Sequence, residues 1–354
     1  MFAALYVRTR DGGRPIFRSS SSVKMESRRG RCHTSDMQEA HPVLTEATAL
    51  FQAGREAEAL GLIQQLADAG HPDARFTLAD CYWRGMGVAQ DFARGRELFG
   101  AAADVGHPMA VRAYTNLLSS GIAGPRDWTR ALARLEEEAR TDGLRARMLS
   151  LIRAMQLDRN GDPLGFAAPE QLSEAPGVWL FRGAFTLAEC DFLKMMAEPT
   201  YERSLVKMEG KDVPDPVRTS DGSTFHWLIE DPATHAISRR LAALTGTSVE
   251  QGEPLYILRY YPGQQYHPHV DWLAEPNRRI LTALTYLNDE YAGGETTFVK
   301  TGLTVRGHKG DTLVFRNIGR NGNFDPLSEH AGHPVTSGTK YLASRWIRER
   351  RHTP

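Results

Sequence analysis

The sequence predicts a multidomain α and β protein in which an array of α-helices precedes a domain of short β-strands. A motif recurs at a fixed offset of 36 residues in the first half, and short runs of alternating apolar and polar residues fill the second half. The length of 354 residues suits two domains of ordinary size, each large enough to bury its own core.

The charge and cysteine content narrow the classes of function. Lys and Arg together number 43, as do Asp and Glu, so the whole chain lacks the electrostatic signature of binding to nucleic acid or to an anionic membrane. The three cysteines are too scattered for a disulfide framework, which favours a reducing compartment. No apolar run approaches the roughly 18 residues that span a bilayer. We therefore expect a cytoplasmic protein without a membrane or nucleic-acid partner.

Residues 1–40 are rich in Arg, Ser and Gly and have almost no apolar periodicity. Such a segment cannot bury enough apolar surface to order itself, so we expect a disordered tail. An over-long start, with initiation at Met25 or Met37, explains the same composition equally well, and a transit peptide would also resemble it.

Residues 41–155 have helical periodicity and repeat themselves. The stretch AGHPDA at 69–74 recurs as VGHPMA at 105–110, and Asp91 recurs as Asp127. This period is typical of helix-turn-helix repeats whose neighbours bury a shared core. The second copy is degenerate, so we count two or three units with the ends acting as caps. A plain α-helical bundle without a partner explains the helical pattern equally well.

A turn-rich linker at 156–176 separates the helices from a strand-rich domain at 177–350. Near its start, Thr186 and Glu189 have the spacing of a capping box and predict a helix. Beyond Gly252, short runs such as LYILRYY, RILTALTYLN and GDTLVFRN are separated by glycine turns. Many short strands at regular spacing predict a sandwich or a jelly roll.

The stretch QYHPHVDW, residues 265–272, places three side chains that can bind a metal at alternate positions: His267, His269 and Asp271. Successive side chains of a strand point to opposite faces, so these three are expected to share one face. A buried carboxylate beside imidazoles is costly unless a cation pairs with it, and a divalent metal does so. The spacing alone is a weak signal, because a solvated strand edge or a zinc or copper site would look the same.

A further ligand lies downstream in SEHAGHPV, where His330 or His333 could complete a set of two histidines and one carboxylate. That set leaves open positions on the metal and is typical of non-haem Fe(II) oxygenases. Lys340 lies ten residues after His330 and is the only lysine in an otherwise apolar strand. A buried ammonium is costly unless an anion meets it, and the distal carboxylate of a keto-diacid would be such an anion.

Four blocks in this order resemble the prolyl 4-hydroxylase family of 2-oxoglutarate- and Fe(II)-dependent dioxygenases over residues 177–350: LRYYPGQQYHPHVDW, RILTALTYLNDEYAGGETTF, GDTLVF and HAGHPVTSGTKYLASRWI. The resemblance implies a double-stranded β-helix (jelly-roll) dioxygenase domain with flanking helices. It assigns His269, Asp271 and His330 to iron, and Lys340 to the far carboxylate of 2-oxoglutarate.

Six further assignments follow from the same resemblance. Each also has an ordinary explanation in core packing, strand propensity, a solvated charge or turn chemistry. The residues expected to line the co-substrate pocket are Tyr260, Thr282 and Trp346, and those expected to contact the substrate, in part from a loop over the active site, are Arg279, Arg218 and Ser220.

The family resemblance implies that a prolyl residue of a peptide or protein is hydroxylated while 2-oxoglutarate is decarboxylated to succinate. The reaction would require Fe(II) and O2, with ascorbate as reductant. Two alternatives remain open at this point. The same cofactors could act on another side chain or a small molecule, or the chain could be a catalytically silent adaptor.

The helical part has a resemblance of its own. GMGVAQDFARGRELFGAAADVGH is similar to the Sel-like repeats, which are relatives of the tetratricopeptide repeat. In that family the units bind other proteins or brace a neighbouring domain. The resemblance therefore implies a protein partner at the helical repeats, or help in recruiting the polypeptide substrate.

Overall fold

The computed structural model describes residues 41–208, 211–214, 217–228 and 230–353, and of the segments 205–208 and 211–214 it describes the backbone only. The tail expected at residues 1–40 lies outside this part of the chain. The chain divides into two compact units, and the division falls after Leu117.

Seven helices occupy the region that was predicted to be helical. Their bounds are α1 Pro42–Gln52, α2 Glu56–Asp68, α3 Pro72–Arg84, α4 Phe92–Asp104, α5 Pro108–Ser120, α6 Trp128–Ala139 and α7 Gly143–Ala154. None of the helices that the structure describes is long and apolar enough to cross a membrane.

The repeat of 36 residues is a repeat of helix starts. Helices α3 and α5 both begin at a proline, and the starts of α4 and α6 are separated by the same offset. The carboxylates of Asp91 and Asp127 cap these last two helices by accepting hydrogen bonds of 2.9 Å from the backbone N–H groups of Arg94 and Arg130. The same residue type thus performs the same local task in both copies.

The turns before α4 and α6 share their left-handed positions but not the residue at the second of them. Gly85 and Gly121 have φ values of 71° and 74°, and Gly87 has φ 69°. The residue that corresponds to Gly87 in the second copy is Ala123, with φ 60°. The left-handed region is disfavoured for a residue with a Cβ atom, so the degenerate copy keeps the backbone turn without its preferred residue.

Within the residues that the structure describes, the second unit adds two long helices and sixteen strands. The helices are α8 Leu187–Ala197 and α9 Pro232–Thr245. The strands are β1 Glu170–Ser173, β2 Val178–Phe181, β3 Glu202–Arg203, β4 Leu205–Met208, β5 Lys211–Pro214, β6 Asp221–Phe225, β7 Leu255–Tyr260, β8 Tyr266–His269, β9 Arg279–Tyr286, β10 Tyr291–Gly293, β11 Thr296–Phe298, β12 Thr304–Val305, β13 Thr312–Arg316, β14 His330–Gly332, β15 Val335–Gly338 and β16 Lys340–Arg348.

These strands form a large and a small antiparallel sheet. The large sheet has the order β1-β2-β13-β9-β16-β7-β6-β3, and the small sheet has the order β12-β11-β14-β8. Strands β10 and β15 form one separate pair, and β4 and β5 form another. Because most neighbours in both sheets are not consecutive strands, the chain crosses repeatedly between the sheets, as expected for a jelly roll.

The core of the second unit lies on both faces of the large sheet. Alternate residues of β9 illustrate this arrangement, since Ala283 belongs to a cluster with Ile237 of α9, whereas Leu284 belongs to a cluster with Phe298 of the small sheet. The first cluster also contains Leu135 of α6 and other side chains of α6 and α7, so these two helices pack within the second unit. A helical array followed by a sheet-rich domain with flanking helices confirms the predicted fold class.

Candidate metal centre

Two short strands of the small sheet bring together three side chains that can bind a metal. His269 is the last residue of β8, Asp271 follows two residues later, and His330 opens β14. The two histidines are direct partners in the antiparallel pairing of β8 with β14. One potential ligand atom from each of the three side chains lies within 4.8 Å of the others. The spacing H-x-D and the downstream histidine therefore meet in one place.

His267 does not join this group, contrary to the expectation that it shares a face with His269 and Asp271. Between the pairs His330–His269 and Gly332–Tyr266, β8 has one residue more than β14, which is a β-bulge. An extra residue breaks the alternation of faces, and Pro268 within the bulge has no N–H to donate to the ladder. The side chain of His267 is exposed as a result.

Both histidines of the group are held by their Nδ1 atoms. Nδ1 of His269 lies 2.8 Å from the backbone oxygen of His267, and Nδ1 of His330 lies 2.9 Å from that of Ser328. A carbonyl oxygen can only accept, so each Nδ1 carries the proton and each Nε2 keeps its lone pair. Second-sphere bonds of this kind orient metal-binding histidines. The donor set of two imidazoles and one carboxylate therefore fits Fe(II).

The electrostatics of the group also favour a cation. Burial, and after it the neighbouring His330, lower the pKa of His269 to about 4. Burial alone would raise the pKa of Asp271, but the two histidines and a hydrogen bond from Thr282 hold it below its usual value. His269 thus presents a neutral imidazole beside the ionised carboxylate of Asp271, and these are the protonation states that a metal requires of such ligands.

A cavity extends from these side chains to Lys340, the first residue of β16. It is lined by Leu258, Tyr260, Tyr266, His269, Asp271, Leu284, Thr296, His330, Gly332, His333, Lys340, Leu342, Ser344 and Trp346. Most of the surface that its walls expose is apolar.

Lys340 is only 3 % exposed, and its Nζ donates a hydrogen bond of 2.6 Å to the backbone oxygen of Gly294. In the described part of the chain, no carboxylate lies within 4.0 Å of this ammonium. Burial lowers the pKa of Lys340 to about 7, while Glu295 raises it and Arg306 lowers it. The residues that the structure describes therefore leave room for an anion to pair directly with this ammonium.

Gly294 has a left-handed backbone with φ 72°, and a Cβ atom added there would lie 3.0 Å from Cδ of Lys340. The preceding Gly293 also has a positive φ of 70°. Side chains are thus excluded where the backbone comes close to the lysine. The sequence predicts glycine turns between the strands, and this turn also leaves space for the lysine side chain.

Tyr260 and Ser220 lie beside the lysine end. Tyr260 is paired in register with Lys340, and its ring lies 5.7 Å from Nζ. Burial raises the pKa of Tyr260 to about 12. Ser220 is fully buried, lies 3.2 Å from the hydroxyl of Ser204 and forms a side-chain hydrogen bond with Tyr260. In this structure the hydroxyl of Ser220 contacts other residues of the protein, and the contact of Ser220 with substrate stays a prediction.

Trp346 and Arg279 lie toward the other end of β16. Trp346 lines the cavity, and the guanidinium of Arg279 lies 4.2 Å from its ring centroid. Nε and Nη2 of Arg279 donate hydrogen bonds of 2.6 and 2.8 Å to the two carboxylate oxygens of Glu253. Arg279 is therefore held rigidly beside the tryptophan, and its contact with substrate stays a prediction.

Arg218 and His333 have different surroundings from the metal-binding group. The guanidinium of Arg218 lies over two rings, 5.2 Å from the centroid of Tyr256 and 5.5 Å from that of Tyr266. His333 is exposed, and its Nε2 lies 2.8 Å from the hydroxyl of Thr297. His330, rather than His333, is therefore the histidine that the fold brings to His269 and Asp271.

Thr282 is placed beneath the metal-binding group instead of along the cavity wall. Its hydroxyl donates a hydrogen bond of 2.7 Å to Oδ2 of Asp271, and it accepts one of 3.0 Å from Nδ2 of Asn317. A contact of Thr282 with a co-substrate stays a prediction. Sequence reasoning missed Asn317, because the sequence signal, a polar residue after an apolar strand, is common at strand ends.

Comparison with known proteins adds independent information. The family model described as the 2OG-Fe(II) oxygenase superfamily matches residues 255–348. Prolyl 4-hydroxylase 1 of Arabidopsis thaliana is 34% identical over 209 residues, which span 53% of this chain and 74% of the relative. Probable prolyl 4-hydroxylase 6 of the same plant is 36% identical over 207 residues, which span 51% of this chain and 72% of the relative.

Solved structures are similar to parts of the chain. The viral collagen prolyl hydroxylase of Paramecium Bursaria Chlorella virus-1, in its 2OG complex, has 24% identity and a TM-score of 0.37 and covers 48% of this chain and 95% of its own. A Sel1 repeat protein from Oxalobacter formigenes has 23% identity and a TM-score of 0.28 and covers 31% of this chain and 47% of its own.

Proposed function

This chain belongs to the prolyl 4-hydroxylase family of 2-oxoglutarate- and Fe(II)-dependent dioxygenases, and from that premise we propose that it hydroxylates a prolyl residue of a peptide or protein. One observation carries the proposal. The cavity has three convergent metal-binding side chains at one end, His269, Asp271 and His330. At the other end lies the buried ammonium of Lys340, with no carboxylate within 4.0 Å among the described residues.

The proposed metal ligands are the Nε2 atoms of His269 and His330 and a carboxylate oxygen of Asp271. Their distances from one another are compatible with a shared ion, since Nε2 of His269 lies 3.8 Å from Oδ1 of Asp271 and Nε2 of His330 lies 3.7 Å from Oδ2. Three protein ligands leave the remaining positions of an octahedral ion for the co-substrate and O2. The hydrogen bonds on both Nδ1 atoms and on Asp271 keep these groups in place before the ion binds.

Lys340 is the proposed partner of the distal carboxylate of 2-oxoglutarate. An incoming carboxylate supplies the charge that burial has left uncompensated, and it raises the pKa of Lys340 again. Tyr260, whose hydroxyl keeps its proton because burial raises its pKa to about 12, provides a neutral wall beside the ammonium. The lysine thus fixes which end of the dicarboxylate faces the metal.

The iron and 2-oxoglutarate supply the oxidising chemistry, in which O2 is consumed, 2-oxoglutarate is decarboxylated to succinate and a C–H bond of the substrate is hydroxylated. The chain itself orients the two co-substrates and excludes water. Leu258, Leu284 and Leu342 form apolar walls of the cavity. A dry wall protects an oxidising centre from side reactions. Ascorbate is the proposed reductant that restores the ferrous ion.

The helical repeats are proposed to bind a protein partner or to help recruit the polypeptide substrate. This part of the proposal is supported by the matched helix starts of α3 with α5 and of α4 with α6, which are typical of repeat proteins. A cytoplasmic location is proposed for the same reason as before, namely the scattered cysteines; of these, Cys81 and Cys190 are free and buried.

The activity is tested with anaerobically purified enzyme, Fe(II), ascorbate, 2-oxoglutarate and air. Proline-containing peptides and cell extract are offered, succinate is quantified, and added oxygen is located by mass spectrometry. We expect iron-dependent succinate and a mass increase on proline, and we expect Asp271→Ala to lower turnover by more than about a hundredfold, since even loss of an outer partner costs ten- to hundredfold. An Asp289→Ala variant, which removes a half-exposed carboxylate, is the control.

Two outcomes would contradict the proposal. Succinate release without any oxygen on proline would show that another group is the substrate. Full turnover by Asp271→Ala would show that the metal site lies elsewhere.

A further inference from the structure

We infer that Asn317 is a positioning residue for the metal centre, because it links the segments that carry two of the three proposed ligands, Asp271 and His330. The inference deepens the proposed function and rests on it for the identity of the ion. Asn317 is fully buried, follows β13 directly and is not among the residues that line the cavity. Any effect it has on the metal must therefore pass through other groups.

The first link is made by its side chain. Nδ2 of Asn317 donates a hydrogen bond of 3.0 Å to the hydroxyl of Thr282, and this hydroxyl donates one of 2.7 Å to Oδ2 of Asp271. A hydroxyl has one proton but can accept at two positions. Because the amide of Asn317 occupies an acceptor position, the single proton of Thr282 stays directed at the carboxylate.

The orientation of the amide has a physical reason. If the amide were rotated by half a turn, its oxygen would face the hydroxyl and take the proton, which would leave Oδ2 of Asp271 facing a hydroxyl oxygen at 2.7 Å without a proton between them. In the orientation observed, Oδ1 of Asn317 is buried without a hydrogen-bond partner in the part of the chain described. An unsatisfied buried carbonyl is costly, but a buried carboxylate left without its donor costs more.

The second link is made by the backbone of Asn317. Its N–H donates a bond of 2.9 Å to the oxygen of Ile280, and its own oxygen accepts one of 3.1 Å from the N–H of Asp325. The oxygen of Asp325 accepts a bond of 3.0 Å from the N–H of Ser328, whose oxygen receives the Nδ1–H of His330 at 2.9 Å. Hydrogen bonds thus lead from Asn317 to His330 across the loop that separates β13 from β14.

These two links give Asn317 a specific role. Asp271 lies in a loop after β8 and His330 lies 59 positions later (330 − 271), so their separation is not fixed by local structure. The side chain of Asn317 orients Asp271 through Thr282. Its backbone holds one end of the segment that carries His330. It therefore fixes the relative position of two ligands before any ion is present.

The test measures metal affinity without turnover, by anaerobic equilibrium dialysis of the full chain with Fe(II) alone, in the absence of 2-oxoglutarate. We expect Asn317→Ala and Thr282→Val each to weaken binding by about ten- to hundredfold. Thr282→Ser keeps the hydroxyl and should bind as the wild type does. Asn323→Ala, which removes an exposed amide from the same loop, is the matched control and should have no effect.

A double variant separates positioning from a general loss of packing. If the side chain of Asn317 acts through Thr282, then Asn317→Ala adds little to Thr282→Val, and the double variant binds about as weakly as either single one. Losses that multiply, or an Asn317→Ala variant within twofold of the wild type, would overturn the inference. Should Asn317→Ala fail to fold, Asn317→Leu takes its place, since leucine is similar in shape but cannot donate to Thr282; the same loss of affinity is expected, and binding within twofold of the wild type would overturn the inference.

The outcome also distinguishes the inference from the proposed function. If the wild type and Asn317→Ala both bind Fe(II) tightly, the role of Asn317 is rejected and the proposed function is not affected. A wild type that binds no Fe(II) at His269, Asp271 and His330 rejects both. Tight binding with no oxygen found on proline rejects only the choice of substrate.

Discussion

The two ends of the cavity are prepared for their ligands in different ways. At the metal end, each side chain is held by a hydrogen bond, from His269 to the backbone of His267, from His330 to that of Ser328 and from Thr282 to Asp271. At the other end, the ammonium of Lys340 has one backbone carbonyl and, within the described residues, no carboxylate within 4.0 Å.

The difference shows two separate ways of binding a charged ligand. The metal end is pre-organised, so that an incoming ion finds its ligands oriented and little ordering remains to be done. The lysine end is electrostatically uncompensated, so the protein is destabilised there until an anion arrives. The first arrangement depends on geometry and the second on charge, and the two can be disturbed independently.

The largest expected effect is a loss of affinity for 2-oxoglutarate that leaves the affinity for the metal unchanged. Lys340→Met should raise the Kd for 2-oxoglutarate by about ten- to hundredfold, since it removes a charge-assisted hydrogen bond worth about 1.5–3 kcal/mol. The Kd for the metal alone should not change, because the hydrogen bonds at the metal end remain. Both constants are obtained by calorimetry with Mn(II) as an inert substitute for iron.

The control for that change is Lys300→Met, which removes a partly exposed lysine. An equal loss of affinity for the metal and for 2-oxoglutarate in Lys340→Met would show that the two ends are not independent.

An intermediate effect is expected from pH. The pKa of Lys340 is about 7 in the ligand-free protein, because of its burial. The protonated form binds the carboxylate, so affinity for 2-oxoglutarate should be highest below pH 7 and should fall above it by up to about tenfold per pH unit. Calorimetry at pH 8 in two buffers of different ionisation enthalpy should detect proton uptake on binding. A pH-independent affinity between pH 7 and 9 would contradict this account, and Lys340→Arg should abolish the slope.

The smallest expected effect is on the free energy of unfolding, which should rise for a substitution at the lysine end and fall for one at the metal end. Lys340→Met should raise the free energy of unfolding of the ligand-free protein by on the order of 1 kcal/mol, because it removes an uncompensated buried charge. Thr282→Val should lower that free energy by about 1–3 kcal/mol, because it leaves Asp271 and Asn317 without a partner. Urea denaturation in the presence of a chelator measures both.

The pH dependence of this stability difference has a defined direction. A lysine with a pKa of about 7 when folded and near 10.5 when unfolded binds more protons in the unfolded state between these values. The destabilisation by Lys340 is therefore complete below pH 7 and disappears as the pH rises toward 10.5. The gain from Lys340→Met should shrink over the same interval, and a constant gain would argue against a charge effect.

Much of the fold could be predicted from the sequence because its signals are local. The repeat from Asp91 to Asp127 marks helix caps, which depend only on the next three residues. Alternation in β9 likewise reports burial on the two faces of one strand. The grouping of His269, Asp271 and His330 was also accessible, since an H-x-D spacing and a downstream histidine ten residues before a lysine are sequence patterns.

The features that the sequence could not predict depend on pairing between distant strands. The side chain of His267 is excluded from the metal-binding group by a bulge, and a bulge is defined only by the partner strand. Thr282 faces Asp271 and Asn317 because β9 lies beside β13 in the sheet. Ser220 is buried because it meets Ser204 and Tyr260, neither of which is near it in sequence. Hydrophobic periodicity carries no information about such neighbours.

The wall behind the ammonium of Lys340 is made of backbone, since Gly294 provides the carbonyl oxygen and has no side chain there. A side chain can rotate to admit a larger ligand, whereas a carbonyl within a left-handed turn cannot move unless the turn itself rearranges. The distance from this carbonyl to the imidazoles of His269 and His330 is therefore expected to stay constant when a ligand binds. We therefore expect a keto-diacid longer or shorter by one methylene to bind less tightly than 2-oxoglutarate.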